Sequence, residues 1–373
     1  MSAARVRVLV LGPTPPPYHG VATFTRDLLH ANAPDIELHH LDTSDRRDLS
    51  NLGQWDAGNL VLGFSNLAEL AARCKGSGIH IVYIPISQNV PAFLRDGLFA
   101  LQARGLGCQV VLHLHGGYFR TLYESDAGVL VKAFMRRVLN ACSAIVVLAD
   151  EFRELFAGLV PQEKVFVVEN GVPDPGAFEL HAPNPTPTML FMSTLTEGKG
   201  IFRLLEAFAL LLRDEPQARL RIAGTWADEM QRSRGMEILE RAQLNSSVEF
   251  VGNVSGAEKA AFLASGNVFC LPTTYLYEGQ PLVILEALAA GLPVVATRHA
   301  AIASTVSDAG VLVAPDASTD QLAAALSSVL KQEAKVAGLR QRARERYLAR
   351  YTLAHCHKRL FSVFQAVTAS RTP

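Results

Sequence analysis

The stretch Y277-E-G-Q-P-L-V-I-L-E-A-L-A-A-G-L-P-V-V-A296 decides how this chain is read. Two acids, Glu278 and Glu286, stand eight residues apart in it. Pro281 suits the first position of a helix, where its missing N–H would have no partner anyway. Gly291 and Pro293 mark the stop. The helix expected between them, about 281–290, is apolar all round and is therefore expected to be buried. Glu286 is its only charge, with Leu282, Val283, Ala289 and Ala290 as neighbours at helical spacing. A carboxylate in that setting is costly unless something hydrogen-bonds it. Hydroxyl groups of a bound ligand meet that need; protein donors are the plainer alternative. Glu278 lies just ahead of the helix, where free N–H groups and the helix dipole favour anions such as a diphosphate.

On both sides of this stretch short β-branched runs alternate with helical ones, the pattern of layers around parallel sheets. Strands are expected at Val6–Leu11, Ile79–Ile84, Gln109–His113, Ala144–Leu148 and Val165–Val168 in the first half. Those of the second half are Met189–Met192, Leu220–Ala223, Val248–Val251, Val268–Leu271, Val294–Ala296 and Val311–Val313. Each is a nearly continuous apolar run, as when both faces of a sheet are covered. Helices are expected near 21–30, 60–73, 92–104, 127–141 and 150–157, then near 201–213, 228–243, 257–264, 281–290 and 319–331. A proline- and glycine-rich break at 170–188 separates the halves and reads as a linker. From about 335 the chain is Arg-rich and helical, ending in the amphipathic stretch L353-A-H-C-H-K-R-L-F-S-V-F-Q-A-V367.

The pattern E278-G-Q-P-L-V-I-L-E286, then A-L-A-A-G291-L-P293-V-V-A, resembles the signature of glycosyltransferase family 4, the retaining nucleotide-sugar transferases. In that family two glutamates flank seven residues. The resemblance implies an α/β architecture of two doubly wound Rossmann-like domains facing across a cleft (GT-B). The first, 1–175, would take the acceptor, with a C-terminal helix, 352–373, packing back on it. The second, 186–351, would take the nucleotide-sugar. Open α/β sheets bind ligands at the carboxyl ends of their strands.

The resemblance distributes roles. In S193-T-L-T-E-G-K-G200, Lys199 occupies the place of the lysine that holds the donor diphosphate. By itself, a lysine in a loop at a strand's end is a mobile point charge suited to phosphate, or an ordinary surface residue. The family's partner arginine is replaced by Thr194, or nearby Ser193, with Arg203 one turn into the next helix as either a substitute or a solvent-facing residue. Glu278 would orient the donor sugar and Glu286 hold the ribose. Gly279, Gln280 and Leu282 keep the backbone N–H groups that would bind sugar hydroxyls, whereas Pro281 has none; the Gln280 side chain is a compensating group. Asn253 and Val254, after β-like V248-E-F-V-G252, stand where the family reads the nucleobase, although Gly-Asn after a strand is also an ordinary turn. In L11-G-P-T-P-P-P-Y-H-G20, Gly20 permits close backbone approach to diphosphate and acceptor, with His19 in place of a second glycine.

His113 and His115 end a strand at i, i+2 spacing, which puts them on one face. One reading is a metal pair, but no third ligand is evident nearby and a catalytic zinc takes three. Another is a histidine hydrogen-bonded in the core. The resemblance assigns His115, beside Gly116 and Gly117, to the donor sugar.

Composition narrows the classes. The chain has 373 residues, 49% hydrophobic and 19% charged, enough for two packed domains. Lys and Arg together number 35, as do Asp and Glu, so no net field points to nucleic acid. The five cysteines are scattered without a C-x-x-C, as in a reduced cytoplasmic protein. V6-R-V-L-V-L-G12 reads as a buried strand rather than a signal peptide, and no run reaches a membrane span. No D-x-D occurs, so no metal on the donor phosphates is expected, and basic groups with helix N-termini would stabilise the leaving group. No cofactor is expected beyond a UDP- or GDP-sugar substrate. V129-L-V-K-A-F-M-R-R-V-L139 suits an anionic membrane surface or, equally, an ordinary packed helix with a cationic outer side. The expectation is a metal-independent hexosyltransferase acting on a lipid-linked or glycan acceptor, cytoplasmic and peripheral to the inner face of the membrane. A nucleotide-sugar epimerase and a non-catalytic sugar-nucleotide binding protein are the alternatives.

Overall fold

In the computed structural model two six-stranded sheets, all parallel, carry the chain. The structure describes residues 5–16, 19–44, 57–175, 184–331 and 333–370. The chain divides into two compact units, Met1–Asn170 with Leu353–Pro373, and Gly171–Thr352.

In the first unit the strand order is β2-β1-β3-β4-β5-β6. The strands are β1 (Val6–Leu11), β2 (Ile36–Leu41), β3 (Ile81–Ile86), β4 (Gln109–Leu114), β5 (Ala144–Val147) and β6 (Val165–Val167). Helices α1 (Gly20–Leu29), α2 (Ala57–Gly76), α3 (Val90–Gly105), the short α4 (Phe119–Thr121) and α5 (Val129–Ala141) connect them. Strand β2, I36-E-L-H-H-L41, was not expected. It lies at the sheet edge, mostly half-buried, so it lacks the continuous apolar run of the central strands. Strand β3 runs two residues further than its apolar reading, through Pro85. Pairing with β1 stops at Tyr83, so a proline beyond it is tolerated. The stretch 150–157 is a 3-10 helix, Asp150–Phe156, rather than an α-helix.

Gly97 is where α3 meets α5. A Cβ there would stand 2.5 Å from Phe134 Cε1 and 2.8 Å from Val138 Cγ2. Past the second unit, the last helix returns to the first. This helix, α13 (Leu353–Ala369), buries Cys356, Leu360, Val363, Phe364 and Val367 in one core with Val8, Val10, Ile81, Tyr83 and Val146.

The second unit has strand order β12-β11-β10-β7-β8-β9. The strands are β7 (Thr188–Met192), β8 (Arg219–Ala223), β9 (Val248–Gly252), β10 (Val268–Leu271), β11 (Val294–Thr297) and β12 (Gly310–Val313). Its helices are α6 (Ile201–Asp214), α7 (Glu229–Arg241), α8 (Gly256–Ala264), α9 (Leu282–Ala289), α10 (Ile302–Val306), α11 (Thr319–Leu330) and α12 (Glu333–Arg350). Strand order reverses between β7 and β10, and ligands of open α/β sheets gather at the carboxyl ends beside such a reversal. Of the linker region, 176–183 lies outside the described residues. Residues 171–175 are tied to the second unit by Asp174 on Arg344, at 2.8 Å, and by the Tyr347 hydroxyl on the Val172 carbonyl, at 3.1 Å.

Gly97→Ala should lower the urea midpoint of the first unit, with a cost of about 1–3 kcal/mol as expected for overpacking. Adding Phe134→Leu should restore much of the loss.

Candidate functional site

The loops after β7 and β10 meet at the reversal. Gly200 has φ +84°, and a Cβ on it would lie 2.2 Å from the Pro272 carbonyl oxygen, so only glycine fits. The Gly198 carbonyl accepts from the Thr274 N–H at 2.8 Å and from Thr273 Oγ1 at 3.1 Å. This docking carries the Lys199 ammonium to Glu278 Oε2, at 2.8 Å. Thr273 Oγ1 stands 3.1 Å from the same oxygen. Glu278 is 7% exposed, and the Lys199 side chain 20%. The structure thus brings together two residues that the sequence proposes separately, 79 positions apart. The face of the Tyr275 ring lies 4.4 Å below the ammonium.

Helix α9 begins at Leu282, and Pro281 is its N-cap with extended backbone, one position earlier than expected for a first helical residue. The N–H groups of Leu282 and Val283 have no partner inside the helix. Gly279 is buried and its carbonyl accepts from Ala301 at 3.2 Å. The Gln280 side chain, expected to compensate toward a ligand, donates instead to Thr305 Oγ1 of α10, at 3.0 Å, in a buried contact.

Two further expectations need correction. The helix is not buried all round: Leu282, Val283 and Glu286 form a partly exposed edge. Nor does Glu286 depend on a ligand for its hydrogen bonds, because the Lys259 ammonium of α8 reaches its carboxylate at 2.5 Å. The physical reason is the one that made the acid conspicuous, since a half-buried charge draws an opposite one. Nothing in sequence order places residue 259 beside 286, so Lys259 was missed. Lys259 lies on α8, the helix that follows the loop bearing Asn253 and Val254. Asn253 is exposed and Val254 partly so. Thr194 is exposed in the β7 loop. Arg203 does not take the place of the missing arginine: it donates to the carbonyls of Pro315 and Ala317, both at 2.9 Å.

In the first unit His115 follows β4 and stacks on His113, with ring centroids 3.9 Å apart and planes tilted by 32°. Phe24 of α1 packs edge-on against both rings. The buried Tyr83 hydroxyl meets His113 Nδ1 at 2.5 Å. Burial, first, and then the Cys356 side chain hold the Tyr83 phenol well above its ordinary pKa. Burial, with His115 second, pushes His113 well below the ordinary 6.5. Burial, with His19 second, pushes His115 down to about 3. The Nε2 atoms of both rings are buried and have no hydrogen-bond partner among the described residues. Stacked rings do not aim their in-plane lone pairs at one ion, and no group of three His, Cys, Asp or Glu gathers among the described residues. Gly20 opens α1 beside this cluster's Phe24, and a Cβ on it would meet nothing within 4 Å. The neighbouring Pro17 and Tyr18 lie outside the described residues.

The comparisons with known proteins agree with this layout. The family described as "Glycosyl transferase 4-like domain" matches residues 1–171, and "Glycosyl transferases group 1" matches 177–346. The GDP-mannose:cellobiosyl-diphosphopolyprenol alpha-mannosyltransferase of Xanthomonas campestris is 29% identical over 268 residues, 70% of this chain and 68% of that protein. The chain spans about half the length of several other curated relatives that it matches. Among solved structures, sucrose-phosphate synthase from Thermosynechococcus elongatus superposes with a TM-score of 0.75 at 19% identity, over 98% of this chain and 100% of that one. Anabaena HepE in complex with UDP gives 0.72 at 16% identity, over 97% and 100%. The fold is therefore GT-B. The chain belongs to the family 4 type of glycosyltransferases.

The neutral histidines set a pH dependence. The unfolded chain binds protons at these rings below about pH 6.5 and the folded chain does not, so stability falls as pH drops from about 6.5 toward about 3. His115→Asn should flatten that fall by up to about 1.4 kcal/mol per pH unit, read as denaturant midpoints across the range.

Proposed function

We propose that this glycosyltransferase is a retaining, metal-independent hexosyltransferase that moves a sugar from a UDP- or GDP-sugar to a hydroxyl of a lipid-linked or polysaccharide acceptor. The observation that carries the reading is the Lys199–Glu278 contact of 2.8 Å at the strand-order reversal. An ammonium there faces the charge that develops on a departing diphosphate, the place where fixed charge contributes most to the rate. With Thr194 in the arginine's position and Arg203 engaged elsewhere, Lys199 carries more of that charge.

Glu278 orients the donor sugar through its hydroxyls, together with the N–H groups of Gly279, Gln280 and Leu282. Glu286, paired with Lys259, accepts from the ribose hydroxyls, and the backbone of Asn253 and Val254 meets the base. In the first unit His115, whose Nε2 has no hydrogen-bond partner among the described residues, serves a sugar hydroxyl, and Gly20 leaves room for the diphosphate and acceptor. Displacement takes place on the face that the nucleotide leaves, with a donor phosphate oxygen assisting removal of the acceptor proton. No cofactor enters this scheme. The alpha-mannosyltransferase relative is named for a polyprenol-linked acceptor and the HepE structure holds UDP, and both favour this substrate class.

A place on the cytoplasmic face of a membrane is part of the proposal. No helix among the described residues is long and apolar enough to cross one. The start of α5, however, leaves Val129 83% and Leu130 85% exposed, with Arg136 and Arg137 also exposed one to two turns on. Apolar side chains beside cationic ones suit an interface with anionic lipid.

The nucleotide reading is tested by calorimetry with UDP- and GDP-sugars. Glu286→Ala should weaken binding of the preferred nucleotide by at least about tenfold, as expected when a charged acceptor of two hydroxyls is lost. Unchanged affinity in a folded variant would count against the assignment. The membrane placement is tested by flotation with phosphatidylglycerol vesicles: the wild type should float at low salt, and Val129→Ser with Leu130→Ser should not.

A further inference from the structure

The Tyr275 ring lies 4.4 Å from the Lys199 ammonium, and nothing above gives it a task. Its main chain is fixed from three sides. Its N–H donates to Thr273 Oγ1 at 3.2 Å, and its carbonyl accepts from the Glu278 N–H at 3.0 Å and lies 2.8 Å from His299 Nε2. Its ring edge lies against Gly198, where a Cβ would stand 3.4 Å from Tyr275 Cδ2. With backbone and edge held, one face of the ring is presented to the ammonium at 4.4 Å. Burial, then the Glu278 and Tyr277 side chains, raise the phenol above its ordinary pKa, so the group under the lysine is a neutral ring.

We infer that Tyr275 is a positioning residue for Lys199: its ring face holds the ammonium at the mouth of the β7 and β10 loops without neutralising it. The inference rests on the nucleotide-sugar reading. Lysine is a flexible four-carbon stem with a point charge at its end, so its place must come from its surroundings. Glu278 supplies one restraint, but a carboxylate cancels the charge it holds, and in the proposed reaction Glu278 turns to the donor sugar. An aromatic face attracts a cation through its quadrupole and leaves the full charge available. With the family's arginine replaced by Thr194, such a holder matters more here, because the second cation that would share the diphosphate is absent from that position.

The test reads the affinity added by the second phosphate, comparing UDP with UMP and GDP with GMP by calorimetry. The wild type should bind the diphosphate of its preferred nucleoside more tightly. Tyr275→Phe and Tyr275→Trp should keep that ratio. Tyr275→Leu should shrink it on the order of tenfold, while leaving monophosphate affinity unchanged. In a Lys199→Met background, Tyr275→Leu should have no further effect on the ratio. An unchanged ratio in Tyr275→Leu overturns the inference and leaves the nucleotide-sugar reading standing. An equal loss in Tyr275→Phe also overturns it, because the hydroxyl and not the ring would then be responsible. Failure of the wild type to bind either diphosphate overturns the nucleotide-sugar reading and this inference together.

Discussion

A backbone approach that only glycine allows governs the candidate site. Gly200 turns with positive φ directly over the Pro272 carbonyl, and Gly198 gives its own carbonyl to two donors of the neighbouring loop. Those contacts splice the end of β7 to the end of β10. Once they are made, Lys199 has few places to go, and both the ion pair with Glu278 and the ring contact with Tyr275 follow from the splice. The parallel order of the sheet supplies the other half of the constraint, since β7 and β10 are neighbours only because the chain reverses its direction of winding there.

Each acid of the E-x7-E pattern has its own lysine, Lys199 for Glu278 and Lys259 for Glu286. The two pairs let one buried and one half-buried carboxylate sit without a ligand, where a lone charge would be costly. The candidate site is therefore one whose acidic charges are already balanced within the protein. The histidine pair of the first unit is built the opposite way. His113 and His115 are kept neutral by burial, and each has a buried nitrogen without a partner among the described residues.

Much of this was legible in the sequence because α/β sheets write themselves as repeated apolar runs. The central strands, such as V268-F-C-L271 and V6-R-V-L-V-L11, were readable for that reason. Strand β2 was not, because an edge strand keeps polar residues and loses the run. The short helix α10 also escaped, being only five residues long. At the site, local chemistry was readable and distant pairing was not. Lys199, Glu278 and Glu286 stood out by type and spacing, whereas Lys259 and Tyr275 acquire meaning only from the tertiary approach of α8 and of the β10 loop. The misjudged helix face shows the same limit. Composition said that α9 is greasy on all sides, and only packing shows which edge stays open.

Helix α13 gives the chain an unusual order of completion. The first unit holds residues from near the beginning and from the end, and its core includes Leu360, Val363 and Phe364 beside Val8 and Val10. During synthesis, which delivers the amino-terminal half first, that core stays open along one side until the final helix emerges. The second unit, made of one unbroken segment, has all its parts earlier. The portion translated first is thus sealed only after the whole segment of the second unit has been made.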